Sequence, residues 1–161
     1  MSARGAATPA IAFVQQAGVE HSVHRYEAAG GPEGYGVEAA EVLGLDPARV
    51  HKTLVTSMVD GRLVVAVVPV SGSLDLRALA TAVGARKAAM ADPAAAARAT
   101  GYVLGGISPL GQRTRLLTVV DEGALVHATI FVSAGRRGLE LELDPADLVR
   151  LTAATLAPIA G

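Results

Sequence analysis

Cysteine is absent from all 161 residues, which removes disulfides, a protein thiolate nucleophile and Cys-ligated zinc or iron–sulfur sites at once. Aromatic residues make up only 3% of the chain and tryptophan is missing, so any core must be aliphatic. No apolar run approaches the ~18 residues that cross a bilayer, and the opening Met-Ser-Ala-Arg-Gly-Ala-Ala lacks the apolar stretch of a signal peptide. These two absences lead to the expectation of a cytoplasmic protein without membrane contact. Charge of one sign is missing too. The formal net charge is −1, whereas a protein that grips a nucleic-acid backbone over a wide face carries a broad basic excess. DNA binding is therefore not expected, and any RNA contact must be local, around Lys87, Arg113, Arg115, Arg136 and Arg137, unless these are ordinary solvated charges.

What is present is a chain that is 51% hydrophobic, mostly Ala, Val and Leu, which favours a folded domain over a disordered chain. Its length fits one domain, residues 1–161, with residues 1–7 expected to be flexible. Thr8-Pro9 reads as an N-cap with proline at the first helical position, opening a helix that Gly18 ends. Residues 22–27 read as a strand. Residues 30–36, rich in glycine and proline, form a loop that is either a lid or a surface insertion, and a helix follows over 37–43. Residues 52–59 and 63–70 are aliphatic and β-branched with Asp60-Gly61 between them, a strong hairpin signal. A helix is expected over 74–83, stopped by Gly84. Asp92-Pro93 and Asp144-Pro145 repeat the cap-plus-proline signature and open two more helices, the second with Asp147 in its first turn where the helix dipole favours it. Strands are expected at 118–120, 129–132 and 139–143. Hairpin-like strands mixed with short helices predict an α+β fold: a single domain with a mixed, barrel-like β-sheet flanked by short helices.

The densest local signal is residues 105–112, Gly-Gly-Ile-Ser-Pro-Leu-Gly-Gln. Such a loop can aim bare backbone N–H groups at a carbonyl or phosphate oxygen, or it is a tight turn. A second glycine loop runs Ser133-Ala134-Gly135-Arg136-Arg137-Gly138. Lys52 opens an apolar strand, where a lysine either snorkels outward or faces a polar cavity. Thr53 points to the opposite face of a regular strand, and a bulge would bring both to one site. Tyr26 and Tyr102 fit core positions with hydroxyls satisfied at the edge, and Ser108 and Ser133 lie in the glycine loops. The histidines, His21, His24, His51 and His127, match no metal-ligand spacing and are expected at the surface or partly packed. No dinucleotide or Walker glycine motif and no serine-nucleophile elbow is present. Neither a metal nor a cofactor is expected.

Several of these stretches occur together in one family. Thr8-Pro9-Ala10-Ile11, Lys52-Thr53-Leu54, Ala66-Val67-Val68-Pro69-Val70, Met90-Ala91-Asp92-Pro93, Thr100-Gly101-Tyr102-Val103, residues 105–112 and Arg137-Gly138-Leu139 follow in the right order along nearly the whole chain. In this the chain resembles the YbaK-type aminoacyl-tRNA deacylases, relatives of the editing domain inserted in bacterial prolyl-tRNA synthetases.

The resemblance implies a free-standing hydrolase that clears a mischarged amino acid from tRNA in trans, with cysteinyl-tRNA for proline, Cys-tRNA(Pro), as preferred substrate. It implies contact with the 3′ aminoacyl-adenosine end of tRNA and with prolyl-tRNA synthetase as a partner. The family's lysine falls on Lys52, its neighbouring threonine on Thr53, its glycine pair on Gly105 and Gly106, its early tyrosine on Tyr26 and its loop serine on Ser133. Tyr35 stands where phenylalanine is usual, Glu140 where aspartate is usual, and Ala134 where glycine is common, which touches pocket size and selectivity. The corresponding chemistry has Lys52, Gly105 and Gly106 holding the ester, with Tyr26, Tyr35, Thr53, Ser133 and Glu140 shaping the substrate pocket. Two other readings remain open. One is an alanyl-tRNA(Pro) deacylase using water; the other is a non-catalytic module that binds tRNA or a synthetase.

Overall fold

Threonine, aspartate and proline in pairs set the helix starts, as the sequence predicts. In the computed structural model, which describes residues 8–28 and 35–161, Thr8 caps α1 (Pro9–Ala17) by accepting a hydrogen bond from the Ile11 N–H at 3.1 Å, and Gly18 ends it at φ 71°. Asp92 caps α4 (Pro93–Thr100) and Asp144 caps α5 (Pro145–Thr152) in the same way. The other helices are α2 (Tyr35–Leu43) and α3 (Leu76–Ala82). α3 is shorter than its apolar pattern suggests because the Asp75 carboxylate accepts from the Ala78 N–H and fixes the start there. At seven to nine residues, none of these helices would persist alone; each relies on the apolar face it buries.

The strands are β1 (His21–Arg25), β2 (His51–Met58), β3 (Leu63–Pro69), β4 (Ala88–Met90), β5 (Leu117–Asp121), β6 (Ile130–Ser133), β7 (Leu139–Leu143) and β8 (Thr155–Ala157). With the helices they make the expected α+β fold with mixed strand pairing, hydrogen-bonded as two sheets. One is antiparallel, in the order β1-β7-β6; the other is mixed, in the order β4-β2-β3-β5-β8. The expected barrel is not closed. The sheets meet through a parallel bridge between Val50 and Phe131, where the Phe131 N–H donates to the Arg49 carbonyl at 2.9 Å and the Val70 N–H to the Val50 carbonyl at 2.8 Å.

The Asp60-Gly61 hairpin forms as expected, with Ser57 opposite Leu63 and Lys52 opposite Val68. β3 is covered on both sides. Val65 and Val67 enter the larger cluster with Ile11, Val14, Leu110, Val132, Leu141 and Leu148, while Val64, Ala66 and Val68 join Met58, Leu79, Val119 and Ile159. That explains its unbroken aliphatic run, since a central strand has no solvent face to alternate toward. The edge strands β4 and β8 and the short 3-10 helix Glu122–Val126 carry no periodic signal that sequence reading could use. Three to five residues are too few to show a period, and their neighbours define them.

Residues 105–112 are pinned in place. The Tyr102 hydroxyl donates to the Leu110 carbonyl at 2.6 Å, and the Gln112 amide donates to the Ser108 carbonyl at 2.9 Å. Gly111, at φ 67°, lies so close to α1 that a Cβ there would stand 2.5 Å from the Pro9 carbonyl oxygen. At the other end of the fold, Asp121 accepts from the Ile159 and Ala160 N–H groups, each at 3.0 Å, and from the Gly123 N–H at 3.1 Å. The expectations for residues 1–7, and for most of the 30–36 loop as a lid, fall outside the described residues.

Two stability changes follow. Gly111→Ala combines a clash with backbone and a left-handed φ, so denaturant titration is expected to give a loss of about 2–4 kcal/mol. Asp121→Ala strands the N–H of fully buried Ile159 and is expected to lower stability by about 2–3 kcal/mol in the same titration.

Candidate active site

Beside the Val50–Phe131 bridge, where β2 begins, a cavity of about 270 Å³ opens between the sheet, the N-terminal turn of α2 and the two glycine loops. Tyr26, Lys52, Thr53, Gly105, Ser133 and Glu140 line it, joined by Gly36, Val37, His51, Leu54, Val70, Leu104, Ile107, Arg136 and Arg137. Residues from six separate stretches of chain thus converge on one site. Tyr35 begins α2, and its side chain lies outside the described set. Gly36 lets the helix seat itself, because a Cβ there would stand 2.4 Å from Val70 Cγ1 and 3.8 Å from Lys52 Cβ.

Lys52 is half-buried, and its ammonium makes no hydrogen bond or ion pair with a described residue. It is therefore an uncommitted cation on the cavity wall. Two arginines of the second glycine loop share that wall. Arg137 binds Glu38, buried in the first turn of α2, at 2.9 Å, which ties the loop to the helix. Ser133 faces Glu140 across the β6–β7 pair, and its Oγ accepts from the Gly135 N–H at 3.1 Å, holding the turn that follows.

The glycine pair divides. Gly105, at φ 94°, lines the cavity, and its N–H has no partner among the described residues; the same is true of the Ile107 N–H. Gly106 stands behind it. The Gly106 N–H donates to the Val103 carbonyl at 2.9 Å, and the room for a Cβ is taken by Arg136 Cα at 3.0 Å. Gly106 thus lets the two glycine loops touch, and it is Gly105 that presents bare backbone to the cavity.

Three buried side-chain atoms among the described residues have no hydrogen-bond partner: His51 Nε2, Thr53 Oγ1 and Glu140 Oε1. All three residues line this one cavity. Buried polar groups are nearly always satisfied, so such a cluster marks a place where a ligand or water completes the bonding. Burial of Glu140, with no cation paired to it, pushes its carboxyl up to about 8. With no cation beside it, the carboxyl favours its neutral form near pH 7. Tyr26 is raised by burial and then by the nearby Glu140 charge. Burial lowers His51 below its ordinary 6.5, against the Arg49 carbonyl, which favours the protonated form.

His51 is the residue that sequence reading missed. It is 3% exposed, not at the surface or partly packed, and its lack of any motif left nothing to find. The place just before Lys52 on an inward-running strand is the one signal available. Glu38 was equally invisible, as its role depends on an arginine about a hundred residues away.

The aminoacyl-tRNA editing domain family model matches residues 32–151. Over 153 residues the chain is 38% identical to a protein of Enterococcus faecalis named "Putative Cys-tRNA(Pro)/Cys-tRNA(Cys) deacylase EbsC", a match covering 94% of this chain and 92% of that one. The fold is shared with the crystal structure of a hypothetical protein, with a TM-score of 0.85 at 23% identity, covering 96% of this chain and 100% of the other. It is shared as well with a protein described as "a putative trans-editing enzyme for prolyl tRNA synthetase", with a TM-score of 0.83 at 24% identity, covering 96% and 98% of the two chains. By the extent of the family match and the identity to its relative, the chain belongs to the aminoacyl-tRNA editing domain family.

Proposed function

We propose that this protein is a trans-editing hydrolase that deacylates mischarged tRNA, with Cys-tRNA(Pro) as its principal substrate. The observation that carries this reading is the convergence of three unpartnered buried polar atoms and an uncommitted lysine on one cavity beside a bare glycine backbone. An aminoacyl ester is already activated, so its cleavage needs positioning and oxyanion stabilisation more than a strong protein nucleophile. In this reading the Gly105 N–H, with that of Ile107, receives the ester carbonyl as it becomes an oxyanion. Gly106 supports that loop from behind.

Lys52 holds the phosphate or ester end of the terminal adenosine. Glu140 meets the α-ammonium of the amino acid, which turns a neutral buried acid into a paired carboxylate. Thr53, Ser133 and Tyr26 shape the pocket, and Tyr35 belongs to the same set by resemblance. A cysteinyl substrate carries its own thiol, which attacks the carbonyl and leaves as a thiolactone; that accounts for a working site in a chain without cysteine. The protein works in the cytoplasm, and prolyl-tRNA synthetase supplies tRNA selectivity that a net charge of −1 does not.

Single-turnover deacylation of cysteinyl- and alanyl-tRNA for proline tests the reading. The cysteinyl ester is expected to be cleaved and the alanyl ester spared, and Lys52→Ala is expected to slow cleavage by about 10²-fold or more. Cleavage of the alanyl ester with water as nucleophile would move the specificity. Binding of tRNA or synthetase without cleavage of either ester would identify a non-catalytic module.

Glu140 adds a pH signature. Its folded-state value of about 8 lies above the ordinary 4.5, so the folded protein holds a proton that the unfolded chain has released. Stability from this group is full below the unfolded value and is lost as pH rises toward 8. Urea titrations are expected to show unfolding free energy falling across that window, and Glu140→Gln is expected to flatten the slope.

A further inference from the structure

His51 lines the cavity, is almost fully buried, and is used by nothing in the mechanism above. Its ring is oriented by its own strand. Nδ1 lies 3.1 Å from the Arg49 carbonyl oxygen, which can only accept. In the neutral imidazole the proton therefore sits on Nδ1, leaving Nε2 as a bare lone pair. That Nε2 is one of the three buried polar atoms without a partner. An acceptor buried with no donor costs about 1–3 kcal/mol, a cost that a ligand donor in the cavity removes.

We propose that His51 is the general base of this site, accepting at Nε2 the proton of the nucleophile that attacks the aminoacyl ester. This rests on reading the cavity as an aminoacyl-ester site. The other groups on the wall do not fit the role. Lys52 as an ammonium has no lone pair, burial favours the protonated form of Glu140 near pH 7, and a threonine hydroxyl is not basic. Ser133 Oγ is engaged with Gly135. Burial keeps the imidazole neutral near pH 7, the state in which it can accept. Thr53 lies two residues further along the same strand face, where its free Oγ1 can orient the same nucleophile.

The step balances. Nε2 takes the S–H proton of a cysteinyl side chain, or an O–H proton of water, as sulfur or oxygen bonds to the carbonyl carbon. The ester C–O bond then breaks, and the departing ribose oxygen takes that proton back from Nε2–H. The products are tRNA with a free terminal hydroxyl and either a thiolactone or the free amino acid, with His51 regenerated.

The test is the single-turnover rate on Cys-tRNA(Pro) from pH 5 to pH 8 for the wild type, for His51→Phe, which keeps a ring in place, and for Glu140→Gln. The charges that bear on His51 are those of His127 and Asp121, and the other charged or titratable groups lining the cavity with it are Lys52, Arg136, Arg137, Glu140 and Tyr26. Glu140→Gln removes the one carboxyl of that wall. The wild-type rate is expected to rise to a plateau with a midpoint below 6.5, and the same limb is expected to persist in Glu140→Gln. His51→Phe is expected to lose the limb and about 10²–10⁴-fold in rate, with an unchanged melting temperature and a KM within about threefold. A His51→Phe enzyme with the wild-type rate and profile overturns the proposal while leaving the editing function standing. If that variant fails to fold, a wild-type rate flat below pH 7 overturns it equally. A wild type that cleaves no aminoacyl-tRNA overturns the functional reading itself.

Discussion

The bridge between Val50 and Phe131 is the constraint on which the site depends. Two sheets that bury one shared core must meet somewhere, and here Val50, just before β2, bridges to Phe131 of β6 while β2 stays paired with β3 from His51 onward. The Phe131 N–H on the Arg49 carbonyl and the Val70 N–H on the Val50 carbonyl hold that junction at about 2.9 Å each. Just past it the strand carries His51, Lys52 and Thr53 in succession. The Arg49 carbonyl also accepts from His51 Nδ1, so one backbone oxygen both joins the sheets and sets the tautomer of a buried imidazole.

Around this junction the packing leaves polar atoms unsatisfied in one place. Elsewhere among the described residues the buried side-chain hydrogen bonds close. Thr56, fully buried, donates to the Val64 carbonyl at 2.7 Å, and Thr8 donates to Ala134 while capping α1. The contrast gives the cavity its meaning, because the same chain that satisfies a buried threonine at position 56 leaves one bare at position 53. A second polar group lies apart from the cavity, where Glu142 pairs with His24 at 2.9 Å and Arg49 stacks 4.9 Å over the Phe131 ring. Those groups are mutually satisfied, and they brace the smaller sheet.

Glycine acts here mainly by making room. Gly36 admits α2 onto Val70, Gly106 admits the Arg136 backbone and Gly111 admits Pro9, so helix, sheet and both loops approach within contact distances that any side chain would forbid. The loop of residues 105–112 is thereby held between α1 and the second glycine loop. Gly105 and Ile107 line the cavity from that fixed frame, and their N–H groups have no partner among the described residues.

Much of the fold was legible because its signals are local. Aspartate or threonine before proline marks helix starts through a single capping bond, and Asp60-Gly61 between β-branched runs forces a hairpin. The candidate site was legible in part, through Lys52, Thr53, Gly105, Tyr26, Ser133 and Glu140, because the order of motifs carried a family resemblance. The sequence by itself determined the aliphatic core, the caps, the hairpin and the chemistry that a chain without cysteine must do without. Only the tertiary structure decided that the sheet splits in two, that Gly106 turns away while Gly105 faces the cavity, that Glu38 meets Arg137, and that His51 is buried with a bare nitrogen. Each of these depends on partners far away in the chain, and a hydrogen bond that is missing can be recognised only when everything that could have made it is in place.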